Sequence, residues 1–165
     1  MNRKNKSSQL QIRVSPRQKA AITRYAHKAN MGISEWVLSK ALPSQQQAFA
    51  LLLGQLKNAS DSKYVLAEIH DLLNVAAGDE FDLMTANPPP VSLSPYLANY
   101  VAAMVEYAAA QKGRKAPSWT SDIASLEHPV FGSDLASLRL YLLTHSPPPF
   151  RRRNIFVDST IGQRV

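Results

Sequence analysis

The 165-residue sequence predicts a mainly α-helical fold that begins with one short strand and two helices and continues as a helical region. Three observations support this prediction. Apolar residues alternate over 10–14, they recur at helical spacing in later segments, and capping residues precede those segments. A short strand over 154–157 is an option. The predicted domains are residues 1–43, a helical connecting region at 44–87, and a helical C-terminal domain at 88–165.

The first predicted element is a strand. Apolar side chains lie on one of its faces and polar side chains on the other: Leu10, Ile12 and Val14, opposite Gln9, Gln11 and Arg13. A strand of this length is not stable alone, and no neighbouring segment offers a partner at hairpin distance. The same strand of a second copy, antiparallel across a two-fold axis, is the simplest partner. The protein is therefore predicted to be a homodimer through this strand.

Two capped helices are predicted to follow the strand. Residues 15–18, Ser-Pro-Arg-Gln, offer the first helix an N-cap, a proline at its first position and a capping box. This helix is expected to end near Gly32, with that glycine in a left-handed conformation. Ser34 is expected to cap the second helix, with Glu35 in its first turn.

The rest of the chain is predicted to be helical in four segments, which share apolar residues at helical spacing: 44–56, 64–77, 95–112 and 134–144. Ser94 and Ser133 are expected to cap the last two of these helices. The segment 85–95 is predicted to be a linker, because its three consecutive prolines are incompatible with a helix or a central strand.

The net charge of +7 is unevenly distributed along the chain. Residues 1–42 carry nine Lys or Arg against one acidic residue, a net charge of +8. Residues 43–149 carry six basic and ten acidic residues, a net charge of −4, and residues 150–165 are again basic, at +3. A concentrated basic end is typical of a nucleic-acid contact, although a solvated basic tail is the simpler alternative.

The order of strand, capped helix, glycine-containing turn and second helix resembles that of the ribbon-helix-helix family of DNA-binding proteins. Residues 9–16, QLQIRVSP, resemble the ribbon and its exit into the first helix, and residues 31–38, MGISEWVL, resemble the turn and the second helix. The resemblance covers about a quarter of the chain. It implies an obligate dimer whose two-stranded ribbon enters the major groove of B-DNA.

Glutamine can pair with adenine and arginine with guanine, so the polar strand face suits base recognition. The second helix can direct its N-terminal amides at a phosphate, and the basic start of the chain adds phosphate contacts. The predicted DNA-binding residues are Gln9, Gln11, Arg13, Arg3, Lys4, Lys6, Ser34 and Glu35. For the first three, a solvated face of an edge strand is the alternative.

The resemblance implies a function as the DNA-binding antitoxin of a toxin–antitoxin pair, repressing its own operon and neutralising a cognate toxin through its C-terminal region. The segment from 117 to 157 also resembles C-terminal segments of bacterial antitoxins, some of which are paired with nucleotidyltransferase-like toxins. The alternative is a transcription regulator whose C-terminal domain senses a ligand or oligomerises. An enclosed pocket with converging polar groups would favour the regulator, and an exposed apolar surface would favour the toxin binder.

The basic run after residue 149 is the predicted partner contact. Its arginines would enter an acidic groove and the following strand would add to the partner's sheet. The residues concerned are Phe150, Arg151, Arg152, Arg153, Ile155 and Phe156. A solvated basic turn and a second DNA-backbone contact are the alternatives.

No enzymatic function, cofactor or metal site is predicted. The sequence lacks cysteine, and its four histidines are too widely spread to suggest a metal site. Glu68, His70 and Asp71 could suggest acid–base chemistry, but residues two apart on a helix, such as Glu68 and His70, point in different directions, so a solvated face explains them better. No apolar run is long enough to cross a membrane, and a cytoplasmic location is expected.

Overall fold

The structure, a computed structural model, describes residues 11–41, 44–58 and 62–158. The chain divides into two compact units, Met1–Pro43 and Ser44–Val165, which we call the N-terminal and C-terminal units. Within the described ranges, no helix combines the length and the apolar character that a membrane span requires.

The N-terminal unit contains helices α1, Pro16–Lys28, and α2, Ile33–Ala41. The predicted capping box at the start of α1 is confirmed. The Ser15 amide donates to Gln18 Oε1 at 2.9 Å, and the Gln18 amide donates to Ser15 Oγ at 3.3 Å. The two helices pack through a stacked aromatic pair, Tyr25 and Trp36, whose ring centroids lie 5.9 Å apart.

The prediction of an N-terminal strand is wrong. The first regular element of the described chain is α1, and residues 11–14 form no strand. Gln9 and Leu10 lie outside the described residues. A strand is stabilised by hydrogen bonds to a neighbouring strand, and the described part of this unit supplies none. As a result Ile12 and Val14, predicted to be buried, are 59% and 42% exposed. The fold class predicted for this unit is thereby corrected to two helices.

The turn between α1 and α2 also differs from the prediction. Asn30, with φ of 56°, takes the left-handed conformation expected of Gly32. The Met31 amide then donates to the Ala26 carbonyl at 3.0 Å, and the Asn30 amide donates to that of His27, which is the usual closure of a helix by a left-handed residue. Asparagine tolerates this conformation better than most residues. Because α2 begins at Ile33, Ser34 lies in its first turn and is not its cap.

The C-terminal unit is helical apart from one short pair of strands. Its helices are α3 (Gln45–Asn58), α4 (Ser62–Val75), α5 (Gly78–Thr85), α6 (Pro95–Gln111), α7 (Arg139–His145) and α8 (Pro148–Arg151). Short 3₁₀ helices span Ser118–Asp122 and Ala136–Leu138. Strands β1, Val130–Phe131, and β2, Ile155–Phe156, pair in parallel, with Val130 opposite Ile155.

Helix α6 lies at the centre of this unit. Nine of its residues are buried, and it contacts α4, α8 and the first 3₁₀ helix, while α3 packs against α4 and α5. The predicted cap is confirmed, since Ser94 Oγ accepts a hydrogen bond from the Leu97 amide. The proline-rich segment is joined to this core at its start, where the indole of Trp119 donates to the Thr85 carbonyl at 2.8 Å.

The end of the chain is more broken than predicted. Instead of one helix over 134–144, the 3₁₀ helix precedes α7, which begins only at Arg139. Ser133 Oγ accepts a hydrogen bond from the Leu135 amide but does not cap α7. Leu135 has an extended backbone, with ψ of 111°, which prevents a continuous helix. The optional terminal strand is present as β2, and its partner β1 was not predicted.

Candidate functional site

The exposed face of α1 is rich in basic side chains. A shallow depression runs along it, lined by Pro16, Lys19, Ala20, Thr23, Arg24, His27 and Lys28. Glu35 is the only acidic residue between Met1 and Pro43. A helix face with this composition can contact an anionic backbone through its long basic side chains. His27 and Lys28 also lie in the last turn of α1, where a positive charge stabilises the helix dipole.

The structure describes four of the eight predicted DNA-binding residues. Gln11 and Arg13 are exposed in the segment before α1, but they do not share a strand face there. Ser34 and Glu35 are exposed in the first turn of α2. Gln9, Arg3, Lys4 and Lys6 lie outside the described residues.

The basic face of α1 was missed in the sequence. Its signal is the spacing of four between Lys19, Thr23 and His27 and between Arg24 and Lys28, since residues four apart share a helix face.

The N-terminal unit leaves much of its apolar surface in solvent. Among its described residues only Ala26 is buried. Five large apolar side chains are exposed by 38% to 59%: Ile12, Val14, Tyr25, Ile33 and Leu38. A unit of this size with so little buried surface is typical of chains that fold together with a partner.

The predicted partner-binding residues divide into two groups. Arg151 and Arg152 are exposed. The others lie in the interior of the C-terminal unit: Phe150, Arg153, Ile155 and Phe156, none more than 9% exposed. As placed, these four stabilise the unit and offer no surface to a partner.

Arg153 is the centre of a buried polar network. Its Nη2 donates to Glu106 Oε1 at 2.6 Å and to the Thr120 carbonyl at 2.5 Å, and its Nη1 donates to Asn99 Oδ1 at 3.1 Å. The Glu106 side chain is itself only 14% exposed. The network joins the turn between α8 and β2 to α6 and to the first 3₁₀ helix, because the guanidinium group can donate in several directions at once.

A second apolar surface surrounds α7. Its large side chains are 40% to 74% exposed: Leu135, Leu138, Leu140, Tyr141 and Leu143. Leu142 is the one buried residue of α7. We call these five exposed residues the α7 patch. Five exposed large apolar side chains within nine residues of sequence are a higher density than the singly scattered apolar residues of an ordinary surface.

The C-terminal unit also contains a pocket of about 580 Å³. Residues of α4 and α6 line much of it, together with Phe150 of α8 and residues at the two ends of the segment that contains α7. Tyr96, Tyr100 and Tyr107 are all on its wall. Burial raises the pKa of the Tyr96 and Tyr100 phenols above their usual value, and the charge of Tyr96 raises that of Tyr100 further.

No protein-family model matches the chain, and neither does any curated protein or solved structure compared with it.

Proposed function

We propose that this protein is a cytoplasmic DNA-binding antitoxin, in which the N-terminal unit binds an operator and the C-terminal unit neutralises a toxin protein. The observation that carries the proposal is the contrast in surface chemistry between the units. The N-terminal unit contains one acidic residue in its whole sequence and presents the basic face of α1. The C-terminal unit presents the apolar α7 patch.

DNA binding is supported by the basic face of α1, because a row of cations matches a row of phosphates. Phosphate contacts fix position without reading sequence, so this face would supply affinity. The exposed Gln11 and Arg13 have side chains suited to base edges and would supply specificity.

Self-association of the N-terminal unit is supported by its exposed apolar residues. Burying Ile12, Ile33 and Leu38 against a second copy would remove from water the surface that the single unit leaves exposed. A two-fold dimer would also place two basic faces on one duplex.

Toxin binding is supported by the α7 patch. Four exposed leucines and one tyrosine provide apolar surface of the kind found at the centre of protein interfaces. Arg139 lies among them, with its guanidinium 5.3 Å from the centre of the Phe131 ring. The toxin surface expected here is therefore an apolar groove with acidic residues at its rim.

Two sets of variants test the two functions separately. Changing Lys19, Arg24 and Lys28 to Gln should weaken binding to any duplex. The plot of the logarithm of the binding constant against the logarithm of the salt concentration should also become less steep, by about one unit of slope for each phosphate that the variant no longer neutralises. Replacing Lys57, an exposed lysine of α3, with Gln is the matched control and should change neither quantity. Fluorescence anisotropy of labelled DNA at several salt concentrations measures both.

Replacing Leu140 and Leu143 with Asp should abolish rescue of cells that express the cognate toxin, which is to be sought among the products of genes adjacent to that of this protein. It should leave DNA affinity within about 0.5 kcal/mol, since distant sites usually act independently. The antitoxin proposal fails if the variant still protects, or if the wild-type protein does not protect.

A ligand-responsive transcription regulator is the second candidate, and the pocket beside α4 and α6 favours it. Polar and aromatic groups converge there around a space of a size typical of small-molecule sites.

A further inference from the structure

The pocket of the C-terminal unit has the features of a small-molecule site. Its volume of about 580 Å³ lies within the range of ligand pockets, and its wall is largely apolar or aromatic. We propose that it binds a small aromatic carboxylate. This proposal deepens the ligand-responsive candidate and needs no DNA binding, so its failure would leave the DNA-binding proposal intact.

The apolar part of the wall suits a flat ring system. Leu66, Met104 and Phe150 line the pocket together with the tyrosine rings. The aromatic side chains are already held by one another: Tyr100 meets Phe150 edge to face at 5.3 Å, and Tyr96 lies 5.7 Å from Tyr100. Because these rings are packed before any ligand arrives, little side-chain entropy is lost on binding.

The polar part of the wall is rich in hydrogen-bond donors. It comprises the three tyrosine hydroxyls with Ser62, Lys63, His70 and Asn74, against one carboxylate, Asp158. Among the described residues, no hydrogen bond joins the hydroxyls of Tyr96, Tyr100 or Tyr107 to another residue. Tyrosine phenols are protonated at neutral pH, and burial raises the pKa of Tyr96 and Tyr100 further. Neutral phenols in the wall of a largely apolar pocket are suited to donate to the oxygens of a carboxylate.

The position of the pocket gives the ligand a route to the α7 patch. Gly132 and Pro147, which lie just before and just after the segment that contains α7, are both part of its wall. A ligand that fills the pocket would contact both ends of this segment and could favour one position of α7 over another.

The test compares two probes of similar shape, 2-naphthoate and 2-methylnaphthalene, titrated into the full-length protein by calorimetry or by following tyrosine fluorescence. We expect 2-naphthoate to bind with one site per chain and more tightly than 2-methylnaphthalene. The Tyr100→Phe, Tyr107→Phe double variant should weaken 2-naphthoate about five- to tenfold, by the loss of hydrogen bonds to a charged oxygen. It should change the affinity of 2-methylnaphthalene less than about twofold.

Two further variants separate the pocket from the α7 patch. Ala67→Trp places a large ring at a pocket-lining position of α4 and should abolish binding of both probes. Leu140→Ser removes an exposed side chain of the patch and should leave both affinities unchanged. An unchanged far-ultraviolet circular dichroism spectrum establishes that each variant is folded. The proposal is overturned if folded wild-type protein does not bind 2-naphthoate at millimolar concentration, if Leu140→Ser abolishes binding, or if the tyrosine double variant binds 2-naphthoate as tightly as wild type.

Discussion

The two units bury apolar side chains to very different extents. Of the 23 buried apolar residues in the described chain, 22 belong to the C-terminal unit, and Ala26 alone belongs to the N-terminal unit. The C-terminal unit also holds a buried arginine, Arg153, through several hydrogen bonds from its two terminal nitrogens, Nη1 and Nη2. Since apolar burial is the main favourable term in folding, the C-terminal unit should be stable alone, and the N-terminal unit should gain stability from self-association.

The largest expected effect is the loss of the buried arginine. Arg153→Ala would leave Glu106 charged and nearly buried without its closest partner, and would leave the Thr120 carbonyl without its 2.5 Å hydrogen bond. Removal of one partner of a buried pair costs about 3–5 kcal/mol. Urea unfolding of the C-terminal unit measures the loss, with Trp119 as the fluorescent reporter in a Trp36→Phe background.

Arg151→Ala is the matched control, because Arg151 is two residues away and exposed. Its effect on the free energy of unfolding should be within about 0.5 kcal/mol. Equal effects of the two substitutions would mean that the network around Arg153 does not stabilise the unit, and the contrast between interior and surface arginines would disappear.

The second prediction compares isoleucine in the two units. Ile69 of α4 is completely buried, so Ile69→Ala should lower the free energy of unfolding of the C-terminal unit by about 2–5 kcal/mol. Ile33 of α2 is 48% exposed, and Ile33→Ala should lower the stability of a single chain by no more than about 0.5 kcal/mol.

If Ile33 is covered by a second copy, Ile33→Ala should instead weaken self-association. The loss of methyl and methylene groups from both copies should raise the dissociation constant about tenfold or more. Sedimentation velocity over a range of concentrations measures this constant. A wild-type protein that stays monomeric throughout would exclude self-association as the source of the stability of the N-terminal unit.

The sequence predicted best the features that depend on neighbouring residues. The capping box at 15–18, the cap at Ser94 and the helices over 44–56, 64–77 and 95–112 are present, with ends shifted by a few residues. These elements depend on spacing and capping within one segment, which the sequence displays directly.

Features that depend on distant residues were predicted less well. Arg153 has its side-chain partners 47 and 54 residues earlier in the chain, and charged residues are rarely buried, so in the sequence it resembles a surface residue. Strand β1 contains only two residues and is recognisable only beside β2. The prediction of an N-terminal strand also failed because it depended on a distant partner. Alternation of apolar and polar residues indicates which face of a strand would be buried, but it does not supply the partner strand that a strand needs.

The smallest expected effect compares two asparagines with the same backbone conformation. Asn30 and Asn154 have φ of 56° and 58°. At Asn30, glycine would relieve the left-handed conformation but would lose more entropy on folding, and the two terms are of similar size. The side chain of Asn30 makes no hydrogen bond to another described residue. Asn30→Gly should therefore change local stability by less than about 0.5 kcal/mol.

At Asn154 the same two terms apply, but the side chain has an additional function. Its Nδ2 donates to the Leu126 carbonyl at 2.6 Å, so Asn154→Gly should be about 1 kcal/mol less stable than wild type. Amide hydrogen exchange measures both local effects. The Met31 amide, bonded to Ala26, reports on the first site, and the Val130 amide, bonded to the Asn154 carbonyl, reports on the second. Equal effects at the two sites would mean that Asn154 serves only the backbone conformation, and that its hydrogen bond does not hold the segment before β1 to the turn before β2.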